Sequence, residues 1–344
     1  MAQNATYQDI ANYTGFSKTT ISRFFNRPET VTPENREKIQ HALEVLNYKG
    51  NKVARILASG KTEFIGLIVP NMYLSFYGEV INRFLKSHDR YGYKFIVFSG
   101  SGDEESERRY IGELLSYHVE GLIVLSHTIP SYELASYRTP VVAIEREDHY
   151  ISSVNTDNRA GGAFAARHLY DRGCDLLLHI NKADDDPRVP AQRRIEGFQS
   201  VCEELQVPCE ILTYEGETSY ADLETKIIPI IDRIIDTWPD RRKGLFCSSD
   251  SIANITLNHL FHRFGELPDN FRIIGFDGSP IAGQAVLPLS TVEQQIDLLV
   301  DNAMELLIEQ IRAIKDAESG RPVTLRPEPQ HRIIPPILRP GATT

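Results

Sequence analysis

Two patterns of apolar and polar positions divide this chain near residue 62. Ahead of that point, Ile10, Ala11 and Thr14 share one helical face behind Thr6 and Asp9, which have capping-box spacing with Asp in place of the usual Glu or Gln. Gly15 can take the positive φ of a tight turn, and Ser17 can cap a second helix on which Ile21 and Phe24 are spaced to face inward. Its outward face then carries Lys18, Thr19 and Arg23. Thr32-Pro33-Glu34 starts a third helix that runs to about Asn47, with Ile39, Ala42, Leu43 and Leu46 as its apolar stripe. Two helices joined as tightly as the first pair must cross, and a cationic, hydroxyl-bearing second helix suits a major groove.

Beyond Phe64 the pattern becomes short Ile-, Val- and Leu-rich runs separated by amphipathic helices. Runs at Phe64–Val69, Tyr93–Phe98, Gly121–Leu125 and Pro140–Ile144 alternate with helical patterns around Tyr77–Arg90, Glu104–Tyr117 and Ser131–Tyr137. A second series follows at Leu176–Ile180, Cys209–Tyr214, Gly244–Cys247 and Arg272–Phe276. Its helices lie near Asn158–Asp171, Gln192–Leu205, Ala221–Thr237 and Ser251–Phe264. Continuous apolar strands between helices predict parallel sheets covered on both faces, here as two doubly wound lobes.

Charge sharpens the division. Through Lys61 there are nine Lys and Arg against five Asp and Glu, a net of +4, which leaves −14 for the remainder of a chain whose formal charge is −10. Phosphate binding needs local positive potential, so an acidic whole with a basic head remains suited to DNA. No apolar run approaches the roughly 20 residues that span a bilayer, and the N-terminus lacks the apolar stretch of a signal peptide, so a cytoplasmic protein with no membrane partner is expected. Cys174, Cys202, Cys209 and Cys247 lack CxxC or zinc-finger spacing and lie in or beside apolar runs, which predicts buried free thiols.

Ligands of doubly wound sheets bind outside the carboxyl ends of the strands. Those positions hold Pro70, Asn71 and Tyr73, then Ser126 and His127, then Glu145 and Arg146 in the first series. In the second they hold Arg193 and Arg194, Ser249 and Asp250, and Asp277. Hydroxyls, amides, carboxylates and an arginine suit a polyol or sugar, with Tyr73 or Phe76 offering an apolar face.

In order and spacing these residues resemble the lactose-repressor (LacI/GalR) family of bacterial transcription regulators over nearly the entire chain. The likeness is carried by Asp9-Ile10-Ala11, Gly15-Phe16-Ser17 and Thr20-Ile21-Ser22-Arg23, and by Asn51-Lys52-Val53-Ala54-Arg55-Ile56-Leu57-Ala58, similar to the family's hinge helix. In the core it rests on Ile65-Gly66-Leu67-Ile68-Val69-Pro70, Asp157-Asn158-Arg159-Ala160-Gly161-Gly162, Arg194-Ile195-Glu196-Gly197-Phe198, Ser249-Asp250 and Ile274-Gly275-Phe276-Asp277. The resemblance implies an all-α helix-turn-helix DNA-binding domain at 1–49 and a hinge at 50–61. An α/β periplasmic-binding-protein-like core of two doubly wound lobes follows at 62–340. The first lobe is expected at about 62–157 and 291–319, and the second at about 158–290 and 320–340.

It further implies that Lys18, Thr19 and Arg23 contact bases, that Ser17, Thr20, Ser22 and Asn26 contact phosphates, and that Leu57 wedges into a minor-groove step. Thr6, Asn51 and Ala54 are expected beside them. The effector would be held by Pro70, Asn71, Ser126, Glu145, Arg194, Ser249, Asp250 and Asp277, with Tyr73, Phe76 and Thr218 near ligand-stacking positions. The implied partners are palindromic double-stranded operator DNA, a sugar or sugar-phosphate effector and a second copy of the chain. Since no leucine heptad precedes Thr344, a homodimer is the expected assembly. A purine-like corepressor or a protein coregulator is the alternative form of control.

Two features depart from the family pattern. Gly50 stands where a proline usually precedes the hinge, and the loop Lys182-Ala183-Asp184-Asp185-Asp186-Pro187-Arg188 is unusually charged. Enzymatic readings fail on spacing. Ser59-Gly60-Lys61-Thr62 has Arg55 where a phosphate-binding loop needs its first glycine, Gly100-Ser101-Gly102 lacks a third glycine, and no GxSxG elbow occurs. His259 and His262 have no third ligand at metal-binding spacing, so neither a metal nor a cofactor is expected.

Overall fold

The computed structural model describes residues 5–48, 61–100, 103–146, 149–183, 189–216, 219–318 and 328–344. Two compact units divide the chain, 1–62 and 63–344. The first contains α1 (Tyr7–Thr14), α2 (Lys18–Asn26) and α3 (Pro33–Val45). The capping box forms: Thr6 N–H donates to Asp9 Oδ2 at 2.7 Å and Asp9 N–H to Thr6 Oγ1 at 3.4 Å. Gly15 ends α1 with φ 73°, and Ser17 caps α2 by accepting from Thr20 N–H at 3.2 Å. Ile10, Ile21, Ile39 and Ala42 are sealed inside, and Tyr7 stacks on Phe25 with centroids 5.1 Å apart. Phe24, expected inward, is only half-buried and packs edge-on against Phe25.

The larger unit opens with β1 (Phe64–Val69), α4 (Ser75–Lys86), α5 (His88–Tyr91), β2 (Lys94–Ser99), α6 (Glu104–Ser116), β3 (Gly121–Val124), α7 (Ser131–Leu134), β4 (Val141–Ile144) and β5 (Ser152–Thr156). It continues with α8 (Asn158–Asp171), β6 (Leu176–Lys182), α9 (Pro190–Leu205), β7 (Cys209–Tyr214), α10 (Tyr220–Thr237), β8 (Lys243–Cys247), α11 (Asp250–Phe264) and β9 (Phe271–Asp277). Last come α12 (Pro280–Gln284), β10 (Ser290–Glu293), α13 (Ile296–Glu318), β11 (His331–Ile334) and β12 (Ile337–Arg339). The expected helix over 77–90 is two, because the chain turns at Ser87, whose hydroxyl donates to the Phe84 carbonyl at 2.7 Å.

Two six-stranded sheets result, in the orders β11-β5-β4-β3-β1-β2 and β12-β10-β9-β8-β6-β7. All pairings are parallel except β10 with β12. Successive strand residues face opposite cores, as the continuous apolar runs require. Ile65, Leu67 and Val69 join the α4 and α13 side, while Ile68 joins the α6 side.

The lobe boundaries need correcting at the C-terminal crossings. Residues 331–334 pair with β5 in the first sheet, although 320–340 were expected in the second lobe, and Thr291–Glu293 pair with β9 in the second sheet, not the first lobe. Short polar strands such as Ser290–Glu293 leave little periodic signal. The chain thus passes between lobes at 156–158, 293–296 and 334–337.

Helices α8 and α9 meet backbone to backbone. A Cβ added at Gly197 would lie 1.9 Å from the Arg159 carbonyl oxygen, and one at Gly162 2.0 Å from that of Arg194. Gly197→Ala is therefore expected to force the helices apart and to cost about 1–3 kcal/mol or more. Urea denaturation with an unchanged midpoint would show that the crossing opens freely.

Candidate nucleic-acid interface and ligand cleft

On α2, Lys18, Thr19 and Arg23 are exposed, while Ile21 on the opposite side is buried. Ser17 and Thr20 share a hydroxyl hydrogen bond of 2.9 Å, so the cap that starts the helix also presents oxygen atoms at its N-terminus. Ser22 is half-buried. Thr6 is committed to its cap, its hydroxyl donating to Asp9 at 2.7 Å. The Asn26 side chain, Asn51, Ala54, Leu57 and Thr218 lie outside the described residues, as do Gly50 and 184–188.

In the larger unit, both sheets reverse strand order beside their first strand, at β1 and at β6, and the carboxyl ends there flank a cavity of about 230 Å³. Seven of the expected effector residues line it: Pro70, Asn71, Phe76, Glu145, Arg194, Ser249 and Asp277. Asn71 also shapes its rim, since its Oδ1 accepts from Leu74 N–H at 3.2 Å and starts the turn into α4.

Arg194 is the centre of the arrangement. Its Nε donates to Asn158 Oδ1 and its Nη1 to the Ser248 carbonyl, each at 2.7 Å. Its guanidinium lies 3.7 Å from the Phe276 ring centroid, and Nη2 approaches Glu145 to 3.9 Å. Glu145 is itself held from both lobes: Thr156 N–H donates at 2.5 Å and Asn158 Nδ2 at 2.8 Å. Gln294 accepts from Thr156 Oγ1 and donates to Asp277, both at 2.8 Å. Two residues of this network hold left-handed backbone, Glu145 with φ 52° and Asp277 with φ 110°. Such strain persists where surrounding bonds over-determine it.

Burial sets the electrostatics. It lowers the pKa of Arg194, against the opposing pull of Asp277 and Glu145. Burial first, and then the charge of Asp250, holds the Asp277 carboxyl well above the usual carboxylate range. His179, on the floor beneath α9, is pulled down to about 3 by burial and is neutral; it stacks on Phe246 at 4.3 Å.

Three expected effector residues do not line the cavity. Ser126 is buried and turned away, its hydroxyl donating to the buried Glu107, while its carbonyl accepts from Arg146 at 3.0 Å. Asp250 is fully enclosed; it accepts from Ser279 N–H at 2.7 Å and Thr291 Oγ1 at 2.6 Å, and so ties α11 to the β9 and β10 ends. Tyr73 is half-buried off the lining, where Tyr77 stands instead, its ring centroid 5.3 Å from that of Phe76.

Strand-end reasoning also missed several lining residues. Asn181 and Lys182 prolong β6 two residues past its expected end, Tyr214 closes β7, and Gln294 follows a strand with no apolar signature. Asn181 is 1% exposed, and its Nδ2 has no hydrogen-bond partner among the described residues. A buried donor without a partner at a cavity wall is a place for a ligand oxygen.

Asp250 predicts a pH effect. Burial raises its carboxyl to about 6, above the unfolded value, despite bonds that favour the charged form. The folded state then binds the proton more tightly, so the site's stabilisation is complete below about pH 4 and is lost as pH rises to about 6. Asp250→Asn cannot titrate, so the stability of the variant relative to the parent should improve across that window. A difference in urea stability that stays constant from pH 4 to 7 would refute this assignment.

Cys209 is exposed, contrary to the expectation of four buried thiols, because it opens β7 at the sheet edge, whereas Cys174, Cys202 and Cys247 are buried. His259 bonds Asp232 at 2.8 Å.

A helix-turn-helix head and a two-lobed core with a ligand-sized cleft define a regulator of transcription that binds DNA and answers to a small molecule. Residues 6–51 match bacterial regulatory proteins of the lacI family, residues 62–218 match periplasmic binding proteins and the sugar binding domain of the LacI family, and residues 166–344 match a periplasmic binding protein-like domain. The chain is 31% identical over 309 residues to the ribose operon repressor of Halalkalibacterium halodurans, covering 89% of this chain and 90% of that one. It is 30% identical over 308 residues to the sucrose operon repressor of Streptococcus mutans, with 89% and 93% covered. The Lac repressor dimer bound to operator and the anti-inducer ONPF shares the fold over 99% of both chains, with a TM-score of 0.79 at 20% identity. The chain belongs to the lacI family of bacterial regulatory proteins.

Proposed function

We propose that this regulator represses a carbohydrate-utilisation operon and that a neutral sugar or a sugar phosphate releases it from its operator. The observation that carries the reading is the Arg194 network, in which one fork-shaped cation, two carboxylates and the unpartnered Asn181 amide surround a cavity of about 230 Å³. Paired donors and acceptors beside Phe76 and Tyr77 suit a polyhydroxyl ligand with one apolar face. The names of the two relatives, ribose and sucrose operon repressors, support the same class.

In this reading the chain acts in the cytoplasm as a homodimer on a palindromic operator, and it binds without catalysing a reaction. Residues 1–49 read DNA, with Leu57 of the hinge at 50–61 as a minor-groove wedge. No helix among the described residues is long and apolar enough to cross a membrane.

Fluorescence anisotropy on labelled operator, with ribose, sucrose and their phosphates as probes, tests the direction of control. A coupling of about 1–3 kcal/mol is typical of such switches, so the releasing ligand should weaken operator binding about 5- to 150-fold. Tighter binding with ligand would establish corepression instead.

A further inference from the structure

A second cavity, of about 340 Å³, opens where the first lobe crosses into the second, and it shares no lining residue with the cleft. One wall is a sheet face. Ser153 and Asn155 of β5 pair with His331 and Ile333 of β11, and residues two apart on a strand point to the same side. Ser153 Oγ and His331 Nδ1 lie 2.9 Å apart, which fixes the imidazole on that wall, and Ile333, 66% exposed, adds an apolar surface. The other wall belongs to the second lobe, where Arg159 of α8 and Arg193 of α9 line the cavity. Arg193 is held by Glu196 at 3.0 Å, whereas Arg159 is exposed and makes no ion pair among the described residues. The one carboxylate on the lining, Asp157, is spent as the cap of α8, accepting from Ala160 N–H at 2.9 Å.

We propose that this cavity is a second ligand site and that it takes a phosphate monoester. Near pH 7 such an ester carries a charge of about −1.5 to −2 and three acceptor oxygens, so it can meet a fork from each arginine and a bond from His331 together. A carboxylate, with a single charge, would leave one cation unmatched. The carbon body of the ester then lies against Ile333.

The position gives such a ligand a route to the cleft. Asn155 grips Arg146, the neighbour of Glu145, accepting from its N–H at 2.8 Å and donating to its carbonyl at 3.2 Å. Asn158, also on the cavity lining, bonds Glu145 at 2.8 Å and Arg194 at 2.7 Å. A ligand held by β11 of one lobe and Arg159 of the other ties down the crossing at 156–158, and with it the residues that hold Glu145 and Arg194. Where that tie favours one lobe angle, occupancy of either site alters affinity at the other by the same factor. This coupling rests on the cleft being the effector site; binding in the second cavity does not.

Isothermal titration of the full-length protein with glycerol 3-phosphate tests the site. Saturable binding is expected, weakened about tenfold or more in Arg159→Ala, which loses a charge-assisted pair, and in Ile333→Asp, which repels the anion. Arg159→Lys should bind between the parent and the alanine variant. The urea midpoint of Arg159→Ala should match that of the parent, since the side chain is exposed. The proposal is overturned if the parent shows no saturable binding, or if Arg159→Ala binds as tightly as the parent. It is also overturned if binding is lost in Arg194→Lys but kept in Arg159→Ala, which would place the phosphate in the cleft and leave the reading of that cleft intact.

Discussion

Arg194→Ala is expected to abolish the response of operator binding to the effector while leaving affinity for operator in its absence nearly unchanged. The side chain makes two hydrogen bonds of 2.7 Å, covers the Phe276 ring and approaches Glu145 to 3.9 Å in a buried network. A truncated arginine would leave Glu145 and Asp277 enclosed without their counter-charge. Removing one partner from such a site costs about 3–5 kcal/mol, so thermal or urea stability should fall as well. Arg194→Lys separates folding from recognition: it keeps a charge but cannot offer the planar fork, so a folded protein with a much weaker effector response is expected. An undiminished response in either variant would remove Arg194 from the effector site. A stability loss below about 1 kcal/mol in the alanine variant would show that the carboxylates find other partners.

Arg23→Ala should act on DNA alone. Arg23 lies exposed in the last turn of α2 and has no ion pair among the described residues, so its removal should change stability by less than about 0.5 kcal/mol. If it donates to guanine O6 and N7, specific binding weakens by about 1–3 kcal/mol and discrimination relaxes at one base pair in each half-site. Binding to random duplex should change little. Equal losses on operator and random DNA would make Arg23 a phosphate contact, with a salt slope reduced by about one.

Much of this architecture was legible without coordinates because it is written in local chemistry. Thr6, Ser17 and Thr32 cap the three head helices at the expected positions, each through a bond to a backbone N–H three residues on. The apolar runs from Phe64 to Phe276 became strands within a residue or two, since a strand buried on both faces needs β-branched and aliphatic side chains throughout. Seven cleft residues were found by the same logic, because strand ends converge wherever a parallel sheet reverses its order.

The misses share a different origin. Ser126 and Asp250 occupy strand-end positions as expected, but a residue's orientation there depends on what approaches from elsewhere. Glu107 on α6 claims the Ser126 hydroxyl, and Ser279 and Thr291 claim both oxygens of Asp250. Those partners are 19, 29 and 41 residues away, beyond the reach of any periodicity. The same holds for β11, whose exposed Ile333 carries no strand pattern until it finds β5.

By itself, then, the sequence determined the helices of the head, the basic face of α2 and the paired parallel sheets, because capping, turn and burial preferences act over a few neighbouring residues. Only the tertiary structure decided which polar strand-end groups face the cleft and which are spent holding the lobes together. Long-range hydrogen bonds make that choice, since a buried carboxylate or amide takes whichever partners the assembled fold brings within reach.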